Sequence, residues 1–255
     1  MAHPTSSSAT ASAERAERLR GLHGSPPLVL ANAWDAASAR VVAEAGSPAV
    51  ATSSAAVAAA HGVGDDDTAD PELAFAAVAE VAAAVEVPVT ADLEAGYRLE
   101  PDAFVERLLA AGAVGCNLED SDHHGPGVLV DAEAHAERLR AVKDAARRRG
   151  VDVVLNARVD AYVRGVEDPL AETLRRGRLY RGAGADCVYP IFLSDLAEIR
   201  ELVAGLGVVN VLLRPGGPTV AELAAAGVAR ISVGSGLFKV AQAAIRAEAE
   251  RLLRS

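Results

Sequence analysis

Three acidic residues pose the first chemical question. Asp92 and Glu94 stand two apart in Ala91-Asp92-Leu93-Glu94-Ala95-Gly96-Tyr97, and Glu119 follows in Asn117-Leu118-Glu119-Asp120. On an extended segment, residues two apart point to the same face, so Asp92 and Glu94 should project together. Carboxylates gathered at one level raise each other's pKa unless a cation sits among them. All-oxygen donors with no His-Cys cluster nearby select Mg²⁺, or Mn²⁺, over zinc. Without a cation, Asp92 reads as a helix N-cap and Glu94 and Glu119 as solvated loop charges; the recurrence of acids on successive strands favours the metal. Arg158 and Asp160, in Asn156-Ala157-Arg158-Val159-Asp160, form a second same-face pair. The guanidinium fork suits a carboxylate or a developing enolate oxygen, or else fills the space as an internal ion pair. Ser53, Ser54 and Ala55 are small residues able to present backbone N–H groups to a carboxylate. The two lysines, Lys143 and Lys239, fall in helical stretches. No Schiff-base amine is therefore expected in the site, and carbanion chemistry would lean on the metal.

The elements that must hold these residues repeat along the chain. Short apolar, largely β-branched runs at 28–31, 49–52, 87–91, 114–118, 153–157, 186–189, 210–213 and 230–233 alternate with stretches of helical periodicity such as 132–149 and 169–181. Eight strands alternating with helices imply a parallel sheet with helices outside, an α/β (β/α)8 TIM barrel. Ala-Gly recurs before strands at Gly46, Gly112, Gly184 and Gly227, where a left-handed residue would end each helix. No G-x-G-x-x-G follows the first strand, which disfavours a dinucleotide fold. Residues 1–24 read as an extension, the first dozen disordered and 13–23 a short helix, and 25–255 as one barrel domain. Barrel enzymes carry their chemistry at the C-terminal strand ends. There the strands deliver Trp34 and Asp35, then Ser53 to Ala55, Asp92 to Tyr97, Asn117 to Asp120, and Arg158 with Asp160; Asn210 opens the seventh strand.

Composition narrows the partners. The 255 residues are 51% hydrophobic and only 4% aromatic, so the core must be built from Ala, Val, Leu and Ile. A net charge of −10 argues against nucleic acid or an anionic membrane, because no excess of Lys and Arg replaces phosphate counterions. Two cysteines, Cys116 and Cys187, make no disulfide framework, and a reducing cytoplasm is expected. No run is long and apolar enough to span a bilayer, and the N-terminus lacks the apolar segment of a secretion signal.

Together these motifs resemble the isocitrate lyase/phosphoenolpyruvate mutase superfamily from about Val29 to Lys239. The resemblance is carried by Asn32-Ala-Trp-Asp35, Thr52-Ser-Ser-Ala-Ala-Val57, Ala91-Asp-Leu-Glu-Ala-Gly-Tyr97, Asn117-Leu-Glu-Asp120 and Asn156-Ala-Arg-Val-Asp160. It implies a Mg²⁺-bound 2-oxo acid at the barrel mouth and a C–C or C–P bond made or broken beside an enolate. Carried over, Asp92 and Glu94 are metal-site acids, Glu94 standing where the family usually has Asp. Glu119 holds metal-bound water, and Asp65 or Asp66 supplies a further acid. Ser53, Ser54 and Ala55 are the carboxylate-binding turn, Arg158 faces the oxyanion, and Asn210 is a polar substrate contact. Trp34, Asp35, Tyr97 and Asn117, inside the matched motifs, join the substrate-binding set. The Lys-x-Cys-Gly-His loop of the isocitrate and methylisocitrate lyases is missing, and so is the Asn-bearing loop of the phosphonopyruvate-forming mutases. Here the loop reads Ser121-Asp122-His123-His124-Gly125-Pro126-Gly127, so Asp122, His123 and His124 are the candidates for acid or base. The family also exchanges a helix between subunits, and the amphipathic stretch 237–253 either closes its own barrel or is exchanged in a homo-oligomer. The expectation is a Mg²⁺-dependent C–C lyase acting on a small 2-oxo or 2-hydroxy acid. Phosphonopyruvate hydrolase or mutase chemistry and a non-catalytic 2-oxo acid binding protein are the alternatives.

Overall fold

Nine short parallel strands alternate with ten helices in a computed structural model that describes residues 6–254 apart from Thr68, Ala69 and Pro126. The elements are α1 Ser6–Gly21, β1 Leu28–Leu30, β2 Asn32–Ala33, α2 Ala36–Glu44, β3 Val50–Thr52, α3 Ser54–His61, α4 Pro71–Ala83, β4 Val89–Asp92 and α5 Pro101–Ala110. They continue as β5 Gly115–Glu119, α6 Ala132–Arg148, β6 Val154–Val159, α7 Pro169–Gly182, β7 Cys187–Pro190, α8 Leu196–Leu206, β8 Asn210–Leu212, α9 Val220–Ala225, β9 Arg230–Ser232 and α10 Gly236–Leu253. Six strands run in the order β2-β3-β4-β5-β6-β7 and three in the order β1-β9-β8. β1 and β2 are two pieces of one strand, separated by Ala31, whose carbonyl accepts from Ala51 N at 3.3 Å. A parallel bridge between Val188 and Val209 joins β7 to β8. The ring therefore closes as an eight-stranded barrel, with every expected strand present.

Helix ends obey local rules. Gly46, Gly112, Gly184 and Gly227 all have φ between +84° and +101° or close to it, at +95°, +83°, +101° and +84°, as the Ala-Gly turns predict. Apolar side chains fill the space between sheet and helices, and Phe75, Tyr97 and Phe104 form the one aromatic cluster within it, stacked edge-to-face at 6.0–6.5 Å. Cys116 and Cys187 are buried and unpaired.

One sequence reading needs correction. The leading helix begins at Ser6 rather than Ala13, and Met1 to Thr5 lie outside the described residues. It covers the N-terminal end of the barrel, with Leu19 fully buried against Gly115; a Cβ at that glycine would lie 2.8 Å from Leu19 Cδ2. At the other end of the chain, α10 buries none of its residues, and Val240 and Ile245 are more than 60% exposed. Val29 on β1 and Val41 on α2 are exposed as well. The start of α10 meets the barrel, where Phe238 stacks edge-to-face on Trp34.

Candidate active site

At the C-terminal mouth, β4 presents Asp92 on its last residue. Ser54 N and Oγ donate to Asp92 Oδ2 at 3.2 and 3.1 Å, and Asn117 Nδ2 donates to Oδ1 at 3.1 Å. Asn117 is aimed in turn by Asn156 Nδ2, which donates to its Oδ1 at 2.7 Å. Three adjacent strands and the start of α3 thus fix one carboxylate. Oδ1, with a single donor, keeps a lone pair for another partner.

Glu94 does not continue that extended segment. The strand stops at Asp92 and the chain turns through left-handed backbone, with φ +51° at Glu94, +92° at Gly96, +51° at Tyr97 and +56° at Arg98. The same-face argument therefore fails for this pair, although both acids still line one cavity. Gly96 is required: a Cβ there would lie 2.7 Å from Arg138 Nη2. Buried Glu94 accepts from the backbone N–H of Asp67 and from Tyr97 Oη at 3.1 Å. Asp67, itself buried with φ +58°, accepts from Tyr97 N at 2.8 Å and Ala95 N at 3.2 Å, and its Oδ2 lies 2.8 Å from His124 Nε2. Burial pushes the Glu94 carboxyl up to about 7; the Asp67 N–H partly offsets this, and the charge of Asp65 adds to it. Asp65 is raised too, by burial of its carboxyl and by Asp92.

Glu119 ends β5, 4% exposed, between Arg158 and His123. Arg158 Nη1 lies 2.5 Å from its Oε2, and His123 Nε2 lies 2.5 Å from its Oε1. Burial still dominates and pushes Glu119 up to about 7, with Arg158 and His123 only partly offsetting it. His123 is raised in response, chiefly through its hydrogen bond to Glu119. Arg158 also forks onto Asp160, Nε to Oδ1 at 2.6 Å and Nη2 to Oδ2 at 3.0 Å. Asp160 is pinned by Ser121 Oγ at 2.5 Å and by its own N–H, which donates to Asp120 Oδ1 at 2.9 Å. Asp120 is fully buried and accepts from Arg176 and Tyr180 at 3.1 and 2.8 Å.

These groups open onto a pocket of about 380 Å³ lined by Ser54, Asp65, Glu94, Glu119, Ser121, His123, Arg158, Asp160, Val163 and Arg164. A second, mainly apolar cavity shares Ser54 and Glu94 with it and also reaches Asp92 and Tyr97. Of the sequence candidates, Asp65, Glu94, Glu119, His123, Arg158 and Ser54 meet directly, with Asp92, Asn117, Tyr97 and His124 one contact behind. Between Asp65 and Asp66, Asp65 is the one in the lining. Other candidates serve the frame. Asp35 caps α2 in a box with Ser38, Trp34 stacks edge-to-face on Phe238 at 5.1 Å, and Ser53 caps α3. Ala55 lies in the first turn of α3, outside the lining. Buried Asn210 donates to Ser232 Oγ at 3.0 Å. Asp122 accepts from the backbone N–H groups of His124, Gly125 and Gly127 and shapes the loop. Residues absent from the sequence reading are Asp67, Asp120, Ser121, Val163 and Arg164. The only signal for Asp67 was its place in the Asp65-Asp66-Asp67 run.

A divalent cation can be tested against this donor set. Among the described residues, no three acids or histidines form a ready cage around one point. Mg²⁺ does not ask for one: it keeps several waters and binds through one or two carboxylates. Asp92, with a lone pair free on Oδ1, and Glu94 and Glu119, pushed up to about 7 by burial, supply hard oxygens and an excess of acid. The residues fit a hydrated Mg²⁺ and not a zinc cage.

The closed barrel is the fold of the phosphoenolpyruvate mutase/isocitrate lyase superfamily of enzymes, which includes lyases and mutases. The family profile described as phosphoenolpyruvate phosphomutase matches residues 19–253, and the chain belongs to that family. An uncharacterized protein of Mycobacterium tuberculosis is 35% identical, over 91% of this chain and 90% of its own length. The crystal structure of a proposed phosphonomutase from Burkholderia cenocepacia is 42% identical with a TM-score of 0.87, covering 93% of this chain and 99% of its own. An oxaloacetate acetylhydrolase in complex with its product oxalate is 26% identical with a TM-score of 0.83, covering 93% and 86%. No helix among the described residues is long and apolar enough to cross a membrane.

Proposed function

We propose that the chain is a Mg²⁺-dependent lyase that cleaves a C–C bond in a small 2-oxo or 2-hydroxy acid and leaves a pyruvate-like enolate. The observation that carries this reading is Glu119 held between Arg158 and His123 on the wall of an acid-rich pocket. Asp92, Glu94, Glu119 and Asp65 would hold the cation, whose chemistry is to chelate the substrate's carboxylate and C2 oxygen and stabilise charge on that oxygen. Arg158 aims a fixed guanidinium, locked by Asp160, toward the place where negative charge develops. The hydrogen bond between His123 Nε2 and Glu119 Oε1, 2.5 Å long, holds a proton at the wall of the pocket. That proton is delivered to the enolate carbon, the role the missing Cys loop leaves open. Asp160 and Asp120 keep Arg158 from drifting.

The test is incubation with Mg²⁺ and a panel of 2-oxo acids and 2-hydroxy diacids, following pyruvate or glyoxylate release. Absence of turnover in a protein that binds Mg²⁺ would remove the lyase reading. The likeness to a proposed phosphonomutase supports a second reading, C–P chemistry, so phosphonopyruvate belongs in the panel with phosphate release as its signal. Oxalate binding without any turnover would mark a non-catalytic binding protein.

The assembly is read from the same fold. An amphipathic α10 with no buried residue, on a barrel that leaves Val29 and Val41 exposed, supports a homo-oligomer in which α10 packs on a second copy. Ile245→Arg should shift the protein toward monomer in light scattering, and an unchanged mass would reject the exchange.

A further inference from the structure

Arg164 lies six residues beyond Arg158 and lines the same pocket. The two guanidiniums differ in what they hold. Arg158 is committed through all three nitrogens, to Glu119 and to both oxygens of Asp160. Among the described residues, no acid forms an ion pair with Arg164. Its backbone is nevertheless fixed. Arg164 N donates to Asp160 O at 2.9 Å, Val166 N donates to Ala161 O at 3.0 Å, and Gly165 turns the chain at φ +68°. A rigid stem thus holds a free guanidinium at the pocket's rim. Beside it Val163, 39% exposed, puts an apolar wall in the lining together with the charged groups.

The charge of the lining gives this arrangement a use. Asp65, Glu94, Glu119 and Asp160 face two arginines, so an anionic substrate meets repulsion wherever no cation is available. The inner end of the substrate is served by the metal site and Arg158. A monocarboxylate would leave Arg164 in water, whereas a second anionic group would gain a charge-assisted, two-pronged hydrogen bond there.

We propose that Arg164 is a specificity-determining residue that receives a second carboxylate, at the end of the substrate remote from the C2 oxygen, and so selects diacids over monoacids. This rests on the reading of the pocket as a 2-oxo acid site. The geometry gives Arg164 no part in the chemistry; it acts on the choice of substrate.

The experiment is calorimetry on the full chain with Mg²⁺. The probes are oxalate, pyruvate, and 2-oxo acids carrying a second carboxylate one, two or three carbons beyond C2. Wild type should bind one of the diacids about tenfold more tightly than pyruvate. Arg164→Gln should collapse that diacid-to-pyruvate ratio toward one, and Arg164→Lys should restore part of it. The side chain is exposed, and circular dichroism and thermal melting verify that both variants fold. A ratio that Arg164→Gln leaves unchanged, or a wild type with no preference for any diacid, overturns the assignment while the 2-oxo acid site stands. If wild type binds neither pyruvate nor oxalate, the lyase reading and this inference fall together.

Discussion

The barrel carries a buried cluster of acids and cations at each end, and the two behave oppositely. At the N-terminal end, Lys143 Nζ meets Asp152 Oδ1 at 2.6 Å, Asp186 Oδ2 at 3.0 Å and the Val153 carbonyl at 2.8 Å, and Arg20 reaches Asp186 at 2.8 Å. Burial would raise Asp152, but the hydrogen bond and charge of Lys143 overcome it and hold the carboxyl below its usual range. At the mouth, Glu94 and Glu119 are pushed up to about 7, because burial outweighs the few positive groups at hand. The residue types are the same. Where cations match acids, the cluster fastens the fold; where acids are in excess, the missing charge must come from something that binds.

Three measurements break or sharpen that contrast. Lys143→Ala removes a fully buried ammonium and leaves Asp186 with Arg20 and Asp152 with Arg20 and Arg147; it should cost about 3 kcal/mol in urea unfolding, with oxalate affinity of the folded protein unchanged, and a loss of affinity would mean the two ends are not separate. Arg158→Ala should lower turnover about 10²–10³-fold and also cost stability, because it strips buried Glu119 and Asp160 of their guanidinium; an effect confined to stability would make Arg158 a structural residue. The smallest effect is on pH. Glu94 and Glu119 rise from the ordinary 4.5 to about 7, so the folded chain holds these protons more tightly than the unfolded chain. The stability this confers is full below pH about 4.5 and is lost as the pH climbs through about 7. Melting temperature without metal should therefore fall over that window, and Mg²⁺ should reverse the fall at its upper end. A flat profile, or one that Mg²⁺ does not move, would contradict the excess-acid view.

The barrel was legible because its signal is local. β-branched runs and Ala-Gly turns each report on their own segment, and eight of them in alternation leave few topologies. Glu119, Arg158 and His123 were legible for a related reason, since barrel strand ends converge by construction. Asp67 was not, because nothing in its own segment announces that its N–H will cap Glu94 and its carboxylate will meet His124. Asp35 and Ser53 stand in motif positions whose second use the sequence did not announce: their side-chain oxygens accept from the first-turn N–H groups of α2 and α3. Arg164 escaped because it stands in a turn, where no periodicity tells which way a side chain faces. Even the Asp92–Glu94 pairing was right in its residues and wrong in its reason, as extended geometry ends at Asp92 and left-handed backbone takes over.

That left-handed turn bears on how the protein would wear out. Non-glycine residues at positive φ persist only while their surroundings insist on it, each at a cost of about 1–3 kcal/mol, and Glu94, Tyr97 and Arg98 are gathered within five positions, facing Asp67 in the same state. Local opening there relaxes several of them at once while leaving the barrel's ladders intact. Warmed slowly, the molecule would go silent before it comes apart, and its useful lifetime is set by one short stretch of chain rather than by the whole.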